Sequence, residues 1–226
     1  QKDHQEETSV NLEEYFNQNS KHIWSNSYLH LGKLYLHESK YETAKTYFEL
    51  SIKEDNNDEA LLLYGMLYLE GYGVQKDYEQ ARIYFEQSAK LNNSEALFNL
   101  GNLYMTGTGV EVNRLKAKEY FEESAKHNNS NALFSLGFLY CEGSGVPQDY
   151  EKARHYFEES AKQNNSNALF NLGNLYFNGH GVKQNGEKAK EYFELAAKQH
   201  NSNALLGLGL LYESGLGVNR DFTKAM

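Results

Sequence analysis

In this 226-residue chain, the residues whose types and spacing could do chemistry are paired glycines, scattered histidines, one acidic run and a single cysteine. Gly71-x-Gly73-Val74, Gly107-x-Gly109-Val110, Gly143-x-Gly145-Val146, Gly179-x-Gly181-Val182 and Gly215-x-Gly217-Val218 carry the first two glycines of a phosphate-binding turn. None reaches the third glycine of a dinucleotide fingerprint, and each follows a helical pattern where that chemistry needs a strand. The run from Gly181 to Glu187 has the glycine spacing of a P-loop, but Glu187 stands where the phosphate-binding Lys belongs, and its carboxylate would repel the ligand. Glu54-Asp55-Asn56-Asn57-Asp58-Glu59 has the composition of a calcium loop without the glycine that its sharp turn requires. It reads as an acidic turn. The eight histidines form no His-Glu-x-x-His arrangement and no zinc-spaced pairing with Cys141. A lone cysteine makes no intrachain disulfide and marks no redox compartment. No catalytic residue, metal ligand or cofactor is therefore assigned. Asn92-Asn93-Ser94, Asn128-Asn129-Ser130 and Asn164-Asn165-Ser166 have the form of glycosylation sequons, a form that Asn turns and Ser caps at fixed spacing generate unaided.

What must position all of these residues is a repeat. Gly65, Gly101, Gly137, Gly173 and Gly209 stand 36 residues apart, and Gly32 stands 33 before Gly65. A fixed period in that range marks a stacked-repeat architecture. In each copy Ala96, Leu97, Leu100, Leu103 and Tyr104, or their counterparts, recur at helical spacing. Ser94, Ser130, Ser166 and Ser202 are expected to cap this first helix with their hydroxyls. The central glycine lies inside the helix at a cost of about 1 kcal/mol relative to Ala, so something must pack close to it in every copy. The paired glycines then stop the helix and reverse the chain. A second helix opens at Asp77, Asn113, Asp149, Asn185 or Asp221 and continues as Ala81, Tyr84, Phe85, Ser88 and Ala89, one apolar stripe. Glu49/Lys53, Glu86/Lys90, Glu122/Lys126, Glu158/Lys162 and Glu194/Lys198 are predicted as ion pairs four residues apart on a solvated outer face.

Residues 1–10 are polar and aperiodic and are expected to be disordered or foreign to the native chain. Tyr15-Phe16 precede Gly32 as Tyr120-Phe121 precede Gly137, so Leu12 to His22 read as the second helix of a preceding copy, entered halfway. Ile23 and Trp24 replace a polar turn and are expected to cover the end of the stack. The predicted division is a tail, 1–10, and one solenoid, 11–226, made of a partial repeat 11–24, repeats 25–57, 58–93, 94–129, 130–165 and 166–201, and a truncated repeat 202–226. Met226 stops the last second helix after about one turn, so residues 219–226 are expected to fray.

A composition of 40% hydrophobic and 14% aromatic residues, with 18 tyrosines and one proline, favours a helical chain with a Tyr, Phe and Leu core. The net charge of −9 argues against a nucleic-acid partner, which would call for a basic footprint. No apolar run is long enough for a transmembrane helix, so no membrane insertion is expected.

The pattern Ala-Leu-Phe-x-Leu-Gly-x-Leu-Tyr-x-x-Gly-x-Gly-Val, followed by Lys-Ala-x-x-Tyr-Phe-x-x-Ala, resembles the Sel-one-like repeat, a relative of the tetratricopeptide repeat, over residues 11–226. The first unit, with Ser39-Lys40 in place of the glycine loop, is closer to the shorter tetratricopeptide pattern. Asn92-Asn93, Asn128-Asn129 and Asn164-Asn165 stand where the family commonly has Gly at the turn, and Asn tolerates the left-handed conformation. The resemblance implies an all-α, right-handed solenoid of tandem antiparallel helix pairs, its first helices lining a concave side. It implies a scaffold or adaptor that binds a protein or peptide, here expected to act as a monomer. Some bacterial members are described as binding or slowly hydrolysing penicillins. Those carry a cysteine pair in each repeat, absent here, and the chain lacks Ser-Asp-Asn and Lys-Thr-Gly. That enzyme is the first alternative; a rigid spacer between flanking domains is the second.

With the copies aligned on the central glycine, two first-helix positions vary in type while the others hardly change. Two before it stand His30, Leu63, Asn99, Ser135, Asn171 and Gly207; one after it stand Lys33, Met66, Asn102, Phe138, Asn174 and Leu210. Positions three apart share a helix face. A position left free in type by the packing is expected on the concave surface. The predicted partner-binding residues are therefore His30, Lys33, Leu63, Met66, Asn99, Asn102, Ser135, Phe138, Asn171 and Asn174. The asparagine pairs suit the amide backbone of a peptide, Phe138 an apolar side chain, and residues 99–177 are expected to hold a peptide or helix.

Overall fold

The computed structural model describes residues 3–225, with side chains from Ser20 to Thr223. Every regular element among them is a helix. The helices group into two units. The first, Gln1–Leu103 with Thr108–Glu111, contains α1 (Asp3–His37), α2 (Tyr41–Asp55), α3 (Asp58–Glu70), α4 (Tyr78–Lys90) and most of α5 (Ser94–Thr106). The second, Tyr104–Gly107 with Val112–Met226, contains α6 (Arg114–Lys126), α7 (Ser130–Glu142), α8 (Tyr150–Ala161), α9 (Ser166–Asn178), α10 (Gly186–Lys198), α11 (Ser202–Ser214) and α12 (Phe222–Ala225). Within each unit, helices that follow one another pack as antiparallel pairs.

Two adjacent residues with different tasks make the turn between copies. Asn92, Asn128 and Asn164 adopt φ of 65, 58 and 60°, the left-handed region that Asn enters more readily than most residues. Asn93, Asn129 and Asn165 then cap the next helix, each side-chain oxygen accepting from the amide of Ala96, Ala132 or Ala168. The serines expected to be caps are instead the first residues of their helices. The second-helix caps are as predicted: Asp77, Asn113, Asp149 and Asn185 accept from the amides of Gln80, Lys116, Lys152 and Lys188.

The N-terminus departs from the prediction. Helix α1 covers residues 3–10, expected as a tail, and runs unbroken through Ile23-Trp24, where a turn was expected; residues 1 and 2 lie outside the described residues. A β-branched and an aromatic residue neither enter the left-handed region readily nor cap a helix, so the helix simply continues. Ile23 and Trp24 are 62% and 57% exposed, with the Trp24 ring 6.3 Å from that of Tyr28.

The core repeats one contact. A Cβ placed on Gly173 would lie 2.4 Å from the Phe193 ring, and one on Gly65 would lie 2.7 Å from that of Phe85. Phe48, Phe85, Phe121, Phe157 and Phe193 are all fully buried. The close neighbour implied by the central glycine is thus the Phe of the Tyr-Phe pair. The Tyr of that pair stacks on a first-helix tyrosine: Tyr68 on Tyr84 in the first unit, and Tyr140 on Tyr156 and Tyr176 on Tyr192 in the second, at 5.6–5.7 Å. Buried Ser88 and Ser160 donate to the Asp58 and Ser130 carbonyls, pinning the end of each second helix to the first turn of its partner. These bonds satisfy hydroxyls that burial would otherwise leave costly.

The predicted ion-pair register is displaced. Each of these glutamates pairs with the base four residues before it rather than after: Arg82–Glu86 at 2.6 Å, Lys118–Glu122 at 2.7 Å and Arg154–Glu158 at 2.6 Å, with Lys45–Glu49 and Lys190–Glu194 at 3.7 and 3.4 Å. Lys126 and Lys162 turn instead to Glu123 and Glu159. The preferred bases are the more buried ones: Arg82, Lys118 and Arg154 have side chains 19–34% exposed, against 68–69% for Lys126 and Lys162. A cation held by packing gives up less rotamer entropy to form an ion pair than one at an exposed helix end.

Candidate functional site

The ten predicted residues lie on the first helices and are not equivalent in exposure or partners. In the first unit, His30 is exposed and its Nδ1 is 2.7 Å from the Asn26 carbonyl, while Lys33 forms an ion pair with Glu59. Leu63 and Met66 are half-buried and line an apolar pocket of about 330 Å³ with Leu36, Tyr41, Leu67, Glu70 and Tyr72. Asn99 and Asn102, on α5, are also half-buried, and the Asn99 amide donates to the Glu95 carbonyl at 2.9 Å.

In the second unit, Ser135 is half-buried and Phe138 is 42% exposed, its ring 6.4 Å from that of Phe134. Asn171 and Asn174 are half-buried on α9, and the Asn171 amide donates to the Asn167 carbonyl at 2.8 Å. Asn99 and Asn171 each commit one amide hydrogen to their own helix. A ligand is then offered the second hydrogen and the carboxamide oxygen, less than the full donor and acceptor set expected. Gly207 breaks the inference that these positions never pack between helices. It is buried, and a Cβ there would lie 2.8 Å from the Phe193 ring.

The residues that sequence reasoning missed are Leu36, Tyr41, Glu70 and Tyr72. Tyr72 is the middle residue of a Gly-x-Gly loop, and its ring stacks on Tyr41, the first residue of α2, at 4.7 Å. The same geometry brings His180 onto Tyr150 in the second unit. The signal was present in the middle loop position, which changes from Tyr72 through Thr108, Ser144 and His180 to Leu216. The partner position at the start of the preceding helix is distant in sequence, so the pairing is visible only in three dimensions.

Burial shifts titratable groups of the helices. Burial pushes the Cys141 thiol up, away from a reactive thiolate. Burial, then the Glu49 carboxylate that accepts its hydroxyl at 2.5 Å, pushes the Tyr64 phenol well above its ordinary value. The acidic run 54–59 is the junction of α2 and α3, with Asn56 left-handed, Asn57 capping and Asp55 bonded to His22 at 2.6 Å. No three ligand-type side chains converge on a metal position among the described residues.

No curated protein matches the chain significantly. Solved structures do. A Sel1 repeat protein from Oxalobacter formigenes is 29% identical with a TM-score of 0.82, the match covering 89% of this chain and 84% of that one. A protective antigen of uropathogenic Escherichia coli with an SLR fold is 28% identical with a TM-score of 0.81, over 94% of this chain and 46% of that one. The tetratricopeptide repeat model matches residues 25–58, the copy that lacks the glycine loop. The Sel1 repeat model matches residues 58–93, 94–129, 130–165, 166–201 and 202–226, the copies that carry the central glycine and the paired-glycine loop, and the chain belongs to the Sel1 repeat family.

Proposed function

We propose that the chain is a non-catalytic scaffold or adaptor, acting as a monomer, that holds a peptide or helix of a partner protein against its first helices. Repeats of the Sel1 and tetratricopeptide types mediate contacts between proteins. The observation that carries the finer reading is a contrast between positions. Core residues such as Leu100, Leu136 and Leu172 recur unchanged and fully buried. Two positions on the same helices stay accessible in most copies and change chemistry: Leu63 and Met66, Asn99 and Asn102, Ser135 and Phe138, Asn171 and Asn174. Residues held constant by packing explain the first set. Recognition of a ligand whose side chains differ along its length explains the second. The acidic net charge favours a protein over a nucleic acid as that ligand.

The test is capture of a partner with the intact chain, followed by calorimetric titration of the Asn171→Ala, Asn174→Ala double variant. Affinity is expected to fall by about 1–3 kcal/mol through unpaired polar groups on the partner. Undiminished affinity, with the fold verified by circular dichroism, moves the site off α9. A β-lactam hydrolysis assay on the same preparation is expected to give no turnover above blank.

A further inference from the structure

The pocket in the first unit narrows what kind of partner fits, an inference that rests on the scaffold reading above. Its walls come from three helices and a loop: Leu36 near the end of α1, Tyr41 at the start of α2, Leu63 and Met66 on α3, and Tyr72 just beyond α3. The Tyr41–Tyr72 stack holds one wall in place. The lining is apolar except for Glu70. A volume of about 330 Å³ lies at the bottom of the ligand-pocket range, enough for one large side chain and too small for a cofactor. Met66, unbranched and adaptable, lets such a pocket accept Leu, Met or Phe.

The mouth supplies a charge. Glu70 is exposed, makes no ion pair among the described residues and sits on the last residue of α3. The carbonyl end of the helix adds negative potential there. A cation beside the apolar group therefore gains, and a carboxylate loses.

We propose that this pocket anchors one Leu, Met or Phe side chain of a partner peptide that carries Lys or Arg next to it. The neighbouring copy does not duplicate the site, because α5 has Asn99 and Asn102 where α3 has Leu63 and Met66. The anchor is thus particular to α3, and it sets which residue of the peptide lies there.

The experiment uses the whole ¹⁵N-labelled chain and three capped dipeptides, acetyl-Lys-Leu-amide, acetyl-Glu-Leu-amide and acetyl-Lys-Ser-amide, followed by amide chemical shifts. Acetyl-Lys-Leu-amide is expected to shift Leu63, Met66 and Tyr72 saturably, and acetyl-Lys-Ser-amide to leave them unmoved. Acetyl-Glu-Leu-amide should bind about two- to fivefold more weakly at low salt, the size expected of one exposed ion pair, with the gap closing at high salt. The Leu63→Asn, Met66→Asn variant gives α3 the pair that α5 already carries, so the fold is kept while acetyl-Lys-Leu-amide binding falls at least about tenfold. No saturable shift at these residues, equal response to the Ser dipeptide, or retained binding by that variant overturns the anchor. Equal binding of the Lys and Glu dipeptides overturns its basic flank. Shifts confined to Asn171 and Asn174 overturn the anchor and leave the scaffold reading standing, whereas shifts confined to the pocket support the anchor, and the α9 site is decided separately by the Asn171→Ala, Asn174→Ala titration.

Discussion

Asn164 and Asn165 divide one turn between them, and the division makes separate predictions. Asn165 accepts from the amides of Asn167 and Ala168 and donates to the Asn131 side chain. Asn165→Ala is expected to cost about 0.5–2 kcal/mol in urea denaturation, against a few tenths for Ser166→Ala. Equal losses would restore the serine as the cap. Asn164, at φ 60°, should accept Gly with little change and reject Val. At Gly173 two effects compete: Ala improves helix propensity by about 1 kcal/mol, while its methyl would meet a Phe193 ring that is fully buried and cannot swing aside. Overpacking costs about 1–3 kcal/mol, so Gly173→Ala should be destabilising on balance. Adding Phe193→Leu should recover part of the methyl's cost relative to Phe193→Leu alone, which a double-mutant cycle reads directly.

Between helices, the stacked tyrosines make stability depend on alkaline pH. Burial raises the phenols of Tyr64, Tyr84, Tyr156 and Tyr192 above their ordinary value of 10.0. A group whose pKa rises on folding contributes stability that is intact below its unfolded pKa and drains away above it. Resistance to urea should therefore hold to about pH 10 and decline beyond it. Lys118, raised chiefly by its bond to Glu122, acts in the same direction. Tyr64→Phe removes one of the titrating groups and should flatten the decline. A denaturation midpoint that is level from pH 8 to 11.5 would contradict the mechanism.

Within each unit, contacts between helices join elements that are adjacent or nearly so in the sequence. Stability in such an array is a sum of local terms. Leu136 is fully buried, so Leu136→Ala should cost about 2–5 kcal/mol through lost burial and a cavity. Hydrogen-exchange protection should fall most in α6 to α8 and least in α2 and α3; a uniform loss would imply one cooperative block. On α11 one leucine of the repeat is far more accessible than in the other copies. Leu205 is 62% exposed, whereas its counterparts Leu61, Leu97, Leu133 and Leu169 are 0–8% exposed. Appending a second helix of the repeat pattern should cover Leu205 and raise the melting temperature. An unchanged value would show that a second helix does not pack on Leu205.

The repeat length, the helix pairs, the left-handed Asn turns and the need for a close neighbour at the central glycine were all legible in the residues. Each depends on local conformation or on a spacing of a few positions, and recurrence in several copies averages out chance. The capping residue was misplaced by one, since Asn and Ser are both good caps and only the backbone distinguishes them. The ion pairs were misassigned because Glu has a base on either side, and the pairs form with the base whose side chain is the more buried. Leu63 and Met66 were picked out as variable, but not as walls of a pocket. That pocket needs Tyr41 and Tyr72 to meet face to face across 31 positions of chain, a contact that no local rule encodes and that tertiary packing alone decides.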